Sequence, residues 1–532
     1  MNRLEDGFVA NAVAAPGAPA VVARTEAGTV TWSYGELHDR AAQIAAALTT
    51  ASSGRLDRVG IVAERTPDTF AAVLGVLIAG AAYVPVNPQH PGDRIRRTLE
   101  LADLDVILVD PAGQAALTAL PPSGRTVVAG LDELDTRARL LTSAPSGGAA
   151  ADDRLAYLLF TSGSTGDPKG VPISHRNATA FMAENQRHHR LTPDDRVSQT
   201  FDLTFDLSVF DLFMTWGAGA CLYPLDGLDR LDPVDVVRSH ELTVWFSVPS
   251  MAALQLNRRA LAPNSMPTLR QSLFCGEALT VDVAQAWADA APRSSVENLY
   301  GPTELTIACT RYRWTDGGSR PSSDPLVSGP TAGVVPIGVP FPTMEAALVD
   351  TESTAQPVVV APGTAGELCV RGPQRFAGYW RNPVQTAART IVIDGEPYYR
   401  TGDRAVVRAG VLHFLGRADD QVQVLGHRVE LGDVEAAVRR IDGVVDAVAF
   451  ALPLDAPAKT DLGVAITTVE GADLTPRAVR RAAAEHLPSY LRPRVVEVFD
   501  AFPLNVNDKI DRRAVATAIE QRMDLSAAAA VS

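Results

Sequence analysis

The sequence predicts an α/β protein: a large N-terminal domain of α/β subdomains with a small β subdomain, followed by a small α+β C-terminal domain. Three observations carry this expectation. A chain of 532 residues exceeds what one hydrophobic core usually supports. Its N-terminal part alternates helix-like with short apolar strand-like runs, the pattern of parallel strands buried on both faces. Its texture changes after Gly416-Arg-Ala-Asp-Asp420, beyond which strands and helices form a module of about a hundred residues, an ordinary domain size.

The elements follow in order. Thr66-Pro67-Asp68 supplies a capping hydroxyl and a proline at the first helical position. The helix through Phe70, Val73, Leu74 and Leu77 stops at Gly80, and residues 82–86 follow as a strand. Residues 105–109, 155–160 and 244–248 are further buried-strand runs. Residues 143–153 and 316–325 read as loops, and residues 366–372 as part of a β subdomain. After the boundary, residues 421–425, 444–451 and 464–468 read as strands, and residues 433–441 and 475–487 as helices. The expected domains are residues 1–418 and 419–525, with a frayed tail at 526–532.

Composition narrows the function classes. Hydrophobic residues at 46% and charged residues at 21% describe an ordinary globular protein. A net charge of −14 argues against a nucleic-acid binder. Cys221, Cys275, Cys309 and Cys369 are widely spaced with no CxxC pair, so reduced thiols are expected rather than a disulfide framework or a zinc site. The N-terminus lacks the basic-then-apolar order of a signal peptide. The uncharged stretch at 69–89 is broken by Gly and Pro, so no membrane span and a cytoplasmic location are expected.

The chemistry concentrates in Tyr157-Leu-Leu-Phe-Thr-Ser-Gly-Ser-Thr-Gly-Asp-Pro-Lys-Gly-Val171. A buried strand empties into a loop where Thr161, Ser162, Ser164 and Thr165 offer hydroxyls. Gly163 and Gly166 let backbone N–H groups approach closely, and Lys169 adds a positive charge. Those are the parts needed to hold a polyphosphate. Pro168 before the lysine and Gly170 after it exclude the P-loop, which needs Gly-Lys-Ser/Thr opening a helix.

This run resembles the signature loop of the adenylate-forming superfamily, and further runs match in the expected order. Val30-Thr-Trp-Ser-Tyr-Gly-Glu-Leu37 and Ala82-Tyr-Val-Pro-Val-Asn-Pro88 match early structural motifs. In Asn298-Leu-Tyr-Gly-Pro-Thr-Glu304 the resemblance implies that Tyr300 packs on adenine and that Glu304 holds Mg²⁺. In Tyr399-Arg-Thr-Gly-Asp403 it implies that Asp403 accepts the ribose hydroxyls. Gly276, Glu277, Asn298, Gly301 and Thr303 complete the implied ATP site with Arg417. Lys509, in Pro503-Leu-Asn-Val-Asn-Asp-Lys-Ile-Asp-Arg512, matches the catalytic lysine, although Asp508 stands where Gly is usual. Asp419 falls at the hinge about which the C-terminal domain turns between two half-reactions, and Gln423 stands where many relatives carry lysine.

The implied reaction is attack of a carboxylate on the ATP α-phosphate with loss of pyrophosphate. Thr161, Lys169, Glu304 and Lys509 serve it by electrostatics, and no general base is needed because a carboxylate is already ionised. Phe201-Asp-Leu-Thr-Phe-Asp-Leu-Ser-Val-Phe-Asp-Leu-Phe213 resembles amino-acid adenylation domains, in which Asp206 would pair with the substrate ammonium. Asp202 and Asp211 fit an exposed helix face instead. The other pocket positions, aligned on the family, are Leu207, Phe210, Phe246, Leu273, Cys275, Leu299, Gly301, Ile307 and Ala308. They imply a hydrophobic amino acid. The doubled Phe-Asp-Leu also resembles stand-alone enzymes that activate β-amino acids, so β is favoured over α. No carrier motif follows Arg513, so the expected acceptor is the phosphopantetheine thiol of a separate carrier protein. The alternative is a CoA-forming or D-alanine-type ligase of the same superfamily.

Overall fold

In the computed structural model of the chain two parallel-rich sheets form the larger part. The structure describes residues 2–25, 28–51, 56–120, 127–131, 153–161, 168–227, 229–314, 333–350, 358–417, 421–424, 427–453, 460–469, 474–503, 510 and 514–519. The tail and the loops expected at 143–152 and 316–325 lie outside these residues. The first sheet runs Val127–Gly130, Val106–Val109, Arg58–Val62, Ala82–Val86 and Leu155–Thr161 in parallel, with Lys169–Ser174 antiparallel at its edge. The second holds Ser295–Tyr300, Gln271–Phe274, Val244–Ser247, Arg196–Gln199, Cys221–Pro224 and Pro19–Thr25 in parallel. Antiparallel strands Gly28–Ser33 and Thr310–Arg313 flank it.

Helices fill the space between the sheets because their sequences are apolar nearly all round. In Pro67–Ile78, capped by the Thr66 hydroxyl on the Thr69 N–H at 3.2 Å, Pro67 and residues 69–77 are buried. In Leu207–Gly217 every residue from Leu207 to Trp216 is buried. Trp216 is packed by Phe8, Phe70 and Phe213, and its indole N–H donates to the Ala20 carbonyl at 3.2 Å. Each such side chain contributes about 1.5–3 kcal/mol on burial, which fixes this helix and the residues at its N-terminus, Asp206 among them.

An antiparallel sheet of Glu345–Val349, Gly366–Arg371, Glu396–Arg408, Thr390–Ile393 and Val411–Arg417 forms the small β part. Beyond it, Gln421–Val424 pairs with His427–Glu430. Val444–Pro453, Thr460–Thr468 and Val495–Phe499 then make a three-stranded sheet carrying Leu431–Val438 and Pro476–His486. The chain is thus a mixed α/β fold with a large N-terminal part and a small C-terminal one. Two C-terminal strands, His427–Glu430 and Val495–Phe499, escape the sequence reading: the first is short and polar, and the second alternates Val with Glu. All four cysteines are free and buried. No helix among the described residues is long and apolar enough to cross a membrane.

Candidate active site

A cleft opens where the two large sheets meet the C-terminal part. It lies at the carboxyl ends of parallel strands, where open α/β sheets bind ligands. Val86 ends Ala82–Val86, Thr161 ends Leu155–Thr161, Cys275 to Ala278 follow Gln271–Phe274, and Tyr300 to Thr303 follow Asn298 at the end of Ser295–Tyr300. Asp206, Leu207 and Ile307 line the same cleft, as do Asp403, Arg417 and Gln423. The structure thereby brings residues from positions 85 to 490 into one site.

Asp206 stands at the N-terminal end of the helix Leu207–Gly217 and is 8% exposed. Its carboxylate accepts from the Ile307 N–H at 3.2 Å and from the Thr303 side chain. No Lys, Arg or His among the described residues forms an ion pair with it. Burial raises its pKa to about 6, against which these neutral donors work only partly. The Ile307 amide reaches Asp206 because Thr306 and Ile307 both adopt left-handed backbone, at φ 57 and 73, a costly conformation for β-branched residues. Gln374 holds that turn. Its side-chain amide donates to the carbonyls of Ala308 at 2.7 Å and Leu305 at 3.2 Å, and the Thr306 hydroxyl donates to the Gln374 carbonyl at 2.6 Å. Gly301 allows the close passage, since a Cβ there would stand 2.6 Å from the Ala308 Cα.

Asp403 is treated differently. Its two carboxylate oxygens accept from the Tyr300 hydroxyl and the Arg417 guanidinium, and its own N–H donates to the Thr401 hydroxyl at 3.0 Å. Asn298 donates to the Pro336 carbonyl at 2.9 Å. Glu277 accepts from the Ser250 N–H at 2.8 Å, at the start of the helix Pro249–Asn257. Gly276, at φ 91, makes the turn between them and the strand. Glu304 is buried just behind Thr303, where its carboxylate accepts from the Tyr379 hydroxyl at 2.6 Å. The Lys169 ammonium donates to Glu430 across the boundary between the two parts at 2.7 Å, with both side chains under a tenth exposed.

Among the expected pocket residues, Leu207, Cys275, Leu299, Gly301 and Ile307 line the cleft. Phe210, Phe246, Leu273 and Ala308 are buried in the core behind it. The Phe210 and Phe246 rings pack edge to face at 4.8 Å, and Phe210 also meets His189 and Phe181. The placement of the other two acids in the motif is a correction. Asp202 is a turn residue, accepting from the Thr204 N–H at 3.0 Å and the Asn87 amide at 2.8 Å. Asp211 is wholly buried rather than exposed, because its helix is covered on every side, and it accepts from the Thr200 N–H at 3.2 Å. Ser162, Gly163, Ser164, Thr165, Gly166, Asp419 and Lys509 lie outside the described residues.

Several cleft residues carry no motif signal. His427 stacks on Tyr490 with ring centroids 3.4 Å apart and meets the edge of Phe205 at 4.2 Å, while His90 meets Tyr490 at 6.4 Å. Burial lowers the pKa of His427 well below the imidazole range and that of His90 to about 4, so both are neutral at pH 7. No local signal marks them, because His90 and His427 stand far apart in the sequence.

The AMP-binding enzyme profile matches residues 8–380, and that of the AMP-binding enzyme C-terminal domain matches residues 433–509. Phenyloxazoline synthase MbtB of Mycobacterium tuberculosis is 33% identical over 98% of this chain, which spans only 35% of that protein's length. The adenylation domain AlmE of Vibrio cholerae, solved in complex with glycyl-adenosine-5'-phosphate, superposes with a TM-score of 0.84 at 28% identity, covering 98% of each chain. The crystal structure of IdnL7 gives a TM-score of 0.69 at 36% identity, covering 97% of this chain and 99% of that one.

Proposed function

The chain belongs to the family of AMP-binding enzymes, AMP-forming adenylating ligases, and from that premise we propose that it activates a hydrophobic amino acid with ATP. The product is the aminoacyl-AMP, with release of pyrophosphate. The acyl group then passes to the phosphopantetheine thiol of a separate carrier protein, and a β-amino acid is favoured over an α-amino acid. The observation that carries this reading is Asp206: a buried carboxylate facing the cleft with no basic partner among the described residues. Such a charge is costly to bury and is best matched by a cation on the ligand. AlmE, bound to a glycyl adenylate, lends the same chemistry to the overall shape of the site. The apolar lining from Leu207, Leu299 and Ile307 matches an apolar side chain.

The geometry supports the following roles. The substrate carboxylate attacks the α-phosphorus, the bond to the bridging oxygen breaks, and pyrophosphate leaves past Thr161 and the loop beyond it. Asp403 receives the ribose hydroxyls, already oriented by Tyr300 and Arg417. Mg²⁺ arriving with ATP would be held by Glu304, a single buried carboxylate beside the cleft, which suits an ion that takes its remaining ligands from phosphate and water. When bound, that ion screens phosphate charge. Lys169 reaches a phosphate only when Glu430 releases it, so the C-terminal part must turn away for adenylation. Lys509 would then serve the developing adenylate. In the second step the thiol sulfur attacks the acyl carbon, AMP departs, and the thiol proton goes to solvent.

The test is amino-acid-dependent pyrophosphate exchange over a panel of α- and β-amino acids, followed by transfer to a carrier protein or to coenzyme A. Strongest exchange is expected with an apolar β-amino acid. Preference for an acidic or basic side chain overturns the reading of the pocket. Thioester formation on coenzyme A and not on any carrier protein overturns the reading of the acceptor.

A further inference from the structure

Behind the nucleotide cleft, the last two residues of the helix His175–His189 meet the strand Ser295–Tyr300. The His188 Nε2 lies 3.1 and 3.0 Å from the two carboxylate oxygens of Glu297, and His189 brings a third donor. The donor atoms of the three residues fall within 4.8 Å of one another. Neither the adenylation chemistry nor the packing of the helix accounts for this group. On this strand the cleft lining begins at Asn298, and Glu297 is not part of it.

We propose that His188, His189 and Glu297 form a site for a divalent transition ion of the zinc class. Two imidazoles and a carboxylate are a borderline-soft nitrogen and oxygen set that suits Zn²⁺, Co²⁺ or Ni²⁺ and not Mg²⁺ or Ca²⁺, which take oxygen alone. The His188 and Glu297 donors are already close to the roughly 3.3 Å edge of a tetrahedron with bonds of about 2 Å. His189 offers the third donor within 4.8 Å of the others, and the partly exposed His188 side leaves a position open to water.

A second, independent observation points to a missing partner. His189 is 2% exposed, and its Nε2 has no hydrogen-bond partner among the described residues. Buried polar atoms rarely stay unmatched. An ion seated among the three side chains would give that nitrogen its partner.

The competing charge is Arg313, whose guanidinium donates to Glu297 at 2.8 and 3.0 Å. Its side chain is more than half exposed, so it can leave for solvent when an ion enters. Arg311, also near, is paired with Glu184 at 2.5 Å. A buried water bridging His189 to its neighbours is the rival occupant.

Equilibrium dialysis of the untagged, chelator-treated chain against Zn²⁺ in a large excess of Mg²⁺ tests the proposal, with Co²⁺ absorption as a second readout. One tightly held Zn²⁺ per chain is expected, with visible Co²⁺ bands of low coordination number. His188→Gln, at the solvent edge, should lower affinity by about tenfold or more, since loss of a direct ligand costs at least as much as loss of a supporting contact. His189→Ala should do the same. Arg313→Ala, by freeing the carboxylate, should raise affinity several-fold. Wild-type protein that holds no stoichiometric Zn²⁺ overturns the site and leaves the water-bridged network. So does unchanged binding in His188→Gln that retains wild-type pyrophosphate exchange.

Discussion

Replacing Asp206 by asparagine should make the protein more stable and nearly inactive at once. Burial pushes the Asp206 carboxyl up to about 6 from an ordinary 3.8. The difference, about two units at 1.36 kcal/mol each, is a destabilisation of about 3 kcal/mol at neutral pH. The sign follows from proton binding. The folded state takes up a proton at Asp206 below about pH 6, and the unfolded state only below about pH 4. Wild-type stability therefore falls as pH rises from about 4 to about 6 and is level above that. The side chain introduced by Asp206→Asn keeps an oxygen for the Ile307 N–H, but its amide must find an acceptor, so a gain of about 1–3 kcal/mol is expected at pH 7. The gain should vanish below about pH 4. Activity moves the other way: an ammonium left facing a neutral amide loses a buried ion pair, about 3–5 kcal/mol, or roughly a hundredfold to several thousandfold in kcat/KM for the amino acid. Denaturant titrations at pH 4 and 7 beside pyrophosphate exchange give both numbers. A variant less stable at pH 7, or one that retains exchange, would refute the reasoning.

Other perturbations probe the surrounding parts. Gln374→Ala removes the clamp on residues 305–308, so the Ile307 amide should drift from Asp206. KM for the amino acid should rise by about tenfold, with stability lower by about 2–4 kcal/mol from lost buried hydrogen bonds, both read in the same two assays. Glu430→Gln removes the carboxylate that holds Lys169. Pyrophosphate exchange should persist or rise while transfer to the thiol slows, because the arrangement seen here loses a buried ion pair; equal effects on both half-reactions would count against the role of that pair.

Local sequence carried the elements whose causes are local. The capped start at Thr66, the strand at Leu155–Thr161 and the halt at Gly80 are all written within a few residues. What was not legible depends on partners far along the chain. Gln374 supports Thr306 from 68 positions away, and Glu430 meets Lys169 from 261. Asp211 read as a solvent-facing acid because acids in helices usually are, yet the helix Leu207–Gly217 is enclosed on every side. Phe210 and Phe246 stood at pocket positions by alignment with the family. In the fold they pair with each other behind Leu207 and Cys275, which keep the cleft face.

The two aspartates of the cleft argue for what each one meets. Asp403 is pre-satisfied: a guanidinium balances its charge and a phenol its second oxygen, so it presents an oriented, neutralised acceptor suited to hydroxyl groups. Asp206 receives only neutral donors, backbone N–H groups and a hydroxyl, and the chain accepts left-handed conformations at Thr306 and Ile307 to supply the Ile307 amide. A fold that needed Asp206 merely for packing would reach lower free energy with a neutral residue there. Strain and an unbalanced charge at one point persist when the ligand removes the imbalance. A cation carried by a ligand would remove that imbalance, and this is the role given to the amino-acid ammonium in the proposed function.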